Sequence, residues 1–94
     1  PAIRALIEAH WLPRLDAFAP QMLFVSAGFD AHREDDLGQL GLVEDDYRWI
    51  TRQIKAVAHR HASGRIVSCL EGGYNLDALG RSVEVHVREL AGLS

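Results

Sequence analysis

The sequence predicts an α/β domain built on parallel strands. Two nearly unbroken apolar runs of strand length, read over residues 21–26 and 65–70, are bounded by Pro20 and Gly28 and by Gly64 and Gly72. Continuous rather than alternating apolar character marks strands buried on both faces, as in parallel sheets. An amphipathic segment, 44–62, lies between the two runs. A strand–helix–strand crossover within one sheet is normally right-handed and makes its strands parallel. Each run also ends the same way, in glycine and then a polar group: Gly28-Phe29-Asp30 after the first, Gly72-Gly73-Tyr74 after the second.

The elements follow in order. Ile3, Leu6, Ile7 and His10 recur at helical spacing, and Leu15 and Phe18 continue the apolar side, so a helix is predicted over about 2–18. Pro13 kinks it near Trp11-Leu12 or opens a second helical segment, and Pro20 stops it. Residues 31–43 carry two glycines, a charge cluster and no period, and read as a loop. Over 44–62 the stripe is Tyr47, Ile50, Ile54, Val57, Ala58 and His61. Glu44, Asp45 and Asp46 in its first turn complement the helix dipole, and Ser63-Gly64 ends it. Asn75 is a good N-cap for a last helix over about 76–92, with a stripe of Leu76, Leu79, Val83, Val87 and Leu90.

Composition narrows the function classes. The 94 residues suffice for one small domain; 48% are apolar and 24% charged, the profile of a folded globular chain. A net charge of −3 favours neither nucleic acid nor an anionic membrane as partner. No apolar run approaches the roughly 20 residues of a membrane span. The single cysteine, Cys69, excludes an internal disulfide and reads as a small buried residue in a reducing, cytoplasmic setting. The chain opens on Pro1 directly into helical periodicity, which is expected of a piece of a longer chain. Two strands alone leave edges exposed, so either further parts of a larger sheet or a second copy of the chain is expected to cover them.

Ligands of open α/β sheets collect beyond the carboxyl ends of the strands. Asp30 and Tyr74 both sit there. A carboxylate at a glycine turn can ligate a cation, and a phenol can donate to a developing oxyanion, so together they suit metal-assisted hydrolysis of a carbonyl compound. The same residues also suit ordinary turns, since aspartate after glycine is a common turn former. Spacing alone leaves both readings open.

Ser26-Ala27-Gly28-Phe29-Asp30-Ala31-His32, followed by Asp35, Leu37 and Gly38, resembles the aspartate-bearing motif of zinc-dependent histone deacetylases. It is equally similar to that of their bacterial relatives, the acetylpolyamine amidohydrolases and other histone-deacetylase-like amidohydrolases. Glu71-Gly72-Gly73-Tyr74-Asn75-Leu76 resembles their catalytic-tyrosine motif, and the helix between the motifs matches as well. The resemblance implies an arginase/deacetylase-type α/β fold, of which residues 1–94 form a single partial domain, the C-terminal portion. It implies hydrolysis of N-acetyl or other acyl amides of lysine or polyamines. Asp30 matches a zinc ligand, one of three, and Tyr74 the residue that polarises the carbonyl and stabilises the oxyanion. Leu37 matches a residue lining the substrate channel, and Gly72 and Gly73 match glycines that let backbone approach the substrate. His32 is not a ligand in the family pattern.

The sequence departs from that pattern at Asp36, where proline is usual, and at Val43, where a threonine commonly caps the next helix. The family's remaining zinc ligands and its paired histidines have no match here. The isolated chain is therefore expected to be inactive and to bind zinc weakly or not at all. A non-catalytic, self-associating α/β module is the alternative, with homo-oligomers formed through exposed sheet edges. An arginase-type metallohydrolase shares the fold but does not explain Gly72-Gly73-Tyr74.

Overall fold

A computed structural model describes residues 2–29, 31–34 and 41–92. The N-terminal helix is not one continuous rod. Helix α1 (Ala2–Leu6) passes through a π-helical turn (Ile7–Trp11) into α2 (Leu12–Phe18). Pro13 causes the break, because it has no N–H for the Ala9 carbonyl and its ring crowds that oxygen. The turn widens, and the Leu12 N–H reaches the Ile7 carbonyl instead. Pro13 then sits in the first turn of α2, where a missing donor costs little.

Strands β1 (Leu23–Ala27) and β2 (Ile66–Leu70) pair in parallel, from Leu23↔Ile66 to Ala27↔Leu70. Helix α3 (Glu44–His61) connects them and α4 (Leu76–Leu90) follows. The predicted order and types hold, with bounds shifted by one or two residues. The inner side of the sheet carries the core: Ala27, Phe29, Leu42, Tyr47 and Val85, with Val25, Leu79 and Val83 packed against them. The loop after β1 is pinned at its base, where Arg33 N–H donates to Leu42 O (2.7 Å) and Leu42 N–H to Ala31 O (2.9 Å).

Two expectations about the sheet fail. Burial alternates along β1, and along β2 as far as Cys69, so the strands are not covered on both faces. Phe24, 75% exposed, stands in register with Val67 on the outer side, and Ser26 stands beside Cys69. Cys69 is exposed, not buried, for the same reason: the described elements cover one face of the sheet.

The stripe read for α4 is also rotated. Leu76 and Val87 are exposed, while Ala78, Ser82, Val85 and His86 are buried. Small residues decide this. Ala58 and Ala62 face no solvent, nor does Ser82, and Ala78 is 1% exposed, so side-chain bulk does not hold α3 and α4 apart. On α3, Tyr47, Val57 and Ala58 are buried as expected, joined by two polar residues, Asp46 and Thr51. His10, in the stripe read for the first helix, is exposed, and His61 is half-buried against Asp16.

Both buried polar groups on α3 are satisfied. Asp46 accepts the Val43 N–H (3.0 Å) and the Arg4 guanidinium (3.0 Å). It thus satisfies the N–H of the residue that precedes α3, the return half of a capping box, and ties α1 to the start of α3. Asp16 meets Arg60 (2.8 Å) and His61 (3.0 Å) at the other end, so α1–α2 and α3 run alongside each other. Thr51 donates to the Tyr47 carbonyl (2.7 Å), which leaves its oxygen to accept from His86 Nδ1–H (2.8 Å). Nε2 of His86 then accepts from the Ser68 hydroxyl (2.9 Å). His86 is therefore neutral and doubly bonded, and its burial lowers its pKa.

Replacing Asp46 by alanine removes a helix cap and an ion-pair partner and is expected to cost about 1–2 kcal/mol in urea unfolding. His86 gives a pH dependence. Its folded pKa lies below the unfolded value near 6.5, so its contribution is full above that pH and is lost as pH falls through the folded value. Stability measured from pH 8 to 5 should decline faster in the natural chain than in His86→Gln; parallel curves would rule this out.

Candidate active site

The two strand ends are joined beyond the last ladder pair. Glu71 N–H donates to Ala27 O (2.9 Å), and Phe29 N–H donates to Gly72 O (2.9 Å). Backbone pairing therefore carries the two glycine turns side by side, with Phe29 against Gly72. Ser26 donates to the Glu71 carboxylate across the same rim. Gly73 has φ +134°, a conformation that side-chain-bearing residues rarely adopt. A Cβ there would also lie 2.7 Å from Leu79 Cδ1 and 3.4 Å from Phe29 Cβ. The backbone conformation thus requires glycine here, a side chain would also have to push Leu79 aside, and Tyr74 follows at the surface, 58% exposed. Asn75 accepts the Ala78 N–H (3.0 Å), the N-cap read from the sequence.

Of the residues singled out in the sequence, Gly72, Gly73 and Tyr74 are brought to this rim. Asp30 and Leu37 lie outside the described residues; Phe29 and Ala31, on either side of Asp30, are described. Phe29 is almost fully buried, edge-on to Tyr47 (centroids 5.0 Å) and to His86 (5.7 Å). An aromatic floor therefore supports the turn that leads into Asp30.

His32 is the residue that sequence reasoning undervalued. His32 is fully buried, and its ring stacks parallel to Tyr47 at 6.5 Å. Its Nδ1 accepts the Glu34 N–H (3.1 Å), which leaves Nε2 to donate to Glu44 Oε1 (2.5 Å). Arg81 donates to the same Glu44 oxygen (3.1 Å) and to Glu34 Oε2 (2.6 Å). Burial opposes ionisation of Glu44, but the bonds from His32 and Arg81 prevail and hold its carboxyl below the ordinary value. Nothing in the spacing of His32, Glu44 and Arg81 announces this contact, which depends on where α3 and α4 begin.

Catalytic zinc takes three protein ligands and keeps one position open. Among the described residues, no group of three or more His, Cys, Asp or Glu gathers to hold a metal ion. The described residues do not make a zinc centre by themselves. What the rim offers is an exposed phenol on a fixed turn beside the β1 end.

Comparison with known proteins bears on this arrangement. The histone deacetylase domain family matches residues 1–90. Type-2 histone deacetylase 2 of Dictyostelium discoideum is 48% identical over 82 residues, covering 84% of this chain and 5% of that protein. The histone deacetylase-like amidohydrolase of Pseudomonas aeruginosa is 44% identical over 64 residues, covering 68% of this chain and 17% of that protein. The crystal structure of the HDA15 HD domain superposes with a TM-score of 0.86 at 31% identity, covering 97% of this chain and 25% of that one. The chain thus spans a small part of the relatives it matches. With two glycine turns laddered together at the strand ends and a family match across nearly its whole length, the chain belongs to the histone deacetylase family.

Proposed function

We propose that the chain forms one wall of the active site of a zinc-dependent deacylase acting on N-acetyl or other acyl amides of lysine or polyamines. The observation that carries this reading is the ladder contact between Phe29 and Gly72, which sets the turn bearing Tyr74 next to the β1 end. In this reading residues 1–94 are the C-terminal portion of a catalytic domain. Asp30 supplies one zinc ligand of three, Leu37 lines the acyl channel, and Gly72 and Gly73 let substrate approach the backbone. Zinc, when held by a complete ligand set, supplies an activated water for attack on the amide carbonyl. This chain's own part is to donate the Tyr74 hydroxyl to the oxygen on which negative charge develops. A rigid donor aimed there is worth more in the transition state than in the ground state. The exposed Cys69 thiol suits a reducing compartment and supports a cytoplasmic setting. Among the described residues no helix is long and apolar enough to cross a membrane.

The test has two arms. The 94-residue chain alone, titrated with zinc and assayed on acetyl-lysine peptide and acetylated polyamine, should bind no stoichiometric zinc tightly and turn over neither. The P. aeruginosa amidohydrolase, rebuilt with this chain in place of the segment it matches, should deacetylate. In that protein Tyr74→Phe should lower kcat by about 100-fold to 1000-fold, and Asp30→Asn should lose zinc. A Tyr74→Phe protein within a few-fold of its parent sinks the assignment, and turnover by the chain alone sinks the prediction of inactivity.

Self-association follows from the uncovered sheet face. Phe24 and Val67 present apolar surface on that face, and Leu70 is 60% exposed at the strand end on the other. Sedimentation velocity of the isolated chain should show concentration-dependent oligomers, and Phe24→Lys should shift them toward monomer. A monomer at every concentration in the natural chain contradicts this.

A further inference from the structure

We infer that His32, Glu44, Arg81 and Glu34 form a closed ring whose task is to position Tyr74 through Asn75. This rests on the reading of Tyr74 as the oxyanion donor. The ring closes on itself. His32 Nε2–H donates to Glu44, Arg81 Nε–H to the same carboxylate oxygen, and Arg81 Nη2–H to the Glu34 carboxylate. The Glu34 N–H then returns to His32 Nδ1. Three elements meet in it: the loop after β1, the first residue of α3, and the second turn of α4.

The ring's outlet is Asn75. Its Nδ2–H donates to the Glu34 carbonyl (2.9 Å) while its Oδ1 caps α4 through the Ala78 N–H. The residue that follows Tyr74 is thus held from two sides by one amide. An exposed ion pair between two long side chains contributes little, because water screens it and holding both side chains costs entropy. This ring differs. Its base, His32, is fully buried, its tautomer is set by two opposed bonds, and the planar Arg81 fork spans two carboxylates at once. Phe29 and Tyr47 locate the floor of the rim; the ring locates its lip through Asn75, the residue next to Tyr74. A phenol displaced by an ångström no longer meets the developing oxyanion, so positioning acts on kcat rather than on substrate affinity.

Two substitutions separate positioning from stability. Asn75→Asp keeps the Oδ acceptor that caps α4 and removes the donor to Glu34. Arg81→Lys keeps the charge and removes the fork. The chain contains two tyrosines, Tyr47 and Tyr74, so incorporation of 3-fluorotyrosine gives two fluorine resonances, assigned with Tyr74→Phe. In the 94-residue chain the Tyr74 resonance should be single and narrow. It should split or broaden in both variants, while the buried Tyr47 resonance and the far-ultraviolet circular dichroism stay unchanged. In the rebuilt amidohydrolase, Arg81→Lys should lower kcat about tenfold with KM unchanged. An unaltered Tyr74 resonance in both variants overturns the positioning role. A Tyr74→Phe enzyme that remains active overturns the functional reading instead, so the two failures are distinguishable.

Discussion

Everything at the rim depends on two backbone hydrogen bonds that continue the parallel ladder past its last strand pair. Glu71 N–H to Ala27 O and Phe29 N–H to Gly72 O bind two turns that lie more than forty residues apart in sequence. Main-chain bonds are set by strand register, and register is set by which residues face the core. Val25 and Ala27 turn inward, and Phe29 caps the same column with almost no exposure. A one-residue slip would send Phe29 outward and break its contact with Gly72. The apolar core thus selects the alignment of the two polar turns, although none of its members reacts with anything.

Beneath and around the turns, several buried polar groups are satisfied in linked sets rather than as isolated pairs. His86, Thr51 and Ser68 link α4, α3 and β2 with each donor matched to one acceptor. Asp46 serves both a helix start and a guanidinium. Groups buried in this way cost several kcal/mol if left unpaired, so each set resists partial opening. That suits a rim whose geometry is to be kept while its outer side stays open to other surfaces.

The outer side of the sheet follows a different logic. The strands have the composition of a sheet covered on both faces, yet Phe24, Val67 and Cys69 are exposed here. The chain spans 25% of the HDA15 domain chain that it superposes on, and the described elements leave Phe24 and Val67 exposed on the outer side. Composition therefore reported strand character correctly and the chain's own coverage incorrectly. Burial belongs to the whole sheet, while apolar runs are written into each strand separately.

The same division runs through the site. Local sequence determined the strands, the crossover, the helix cap at Asn75 and the glycine turn at Gly73, because each follows from backbone preferences over a few residues. The two motifs at the strand ends carried the family resemblance, and the family match bears it out. The buried face of α4 was misread, since the largest apolar residues drew attention while small residues control how closely helices approach. The buried contact of His32 was not legible, since its partners Glu44 and Arg81 lie 12 and 49 positions further along. Only the tertiary structure decided these points. Helix packing and ring closure join residues distant in the chain, and no local pattern encodes the distance at which their side chains meet.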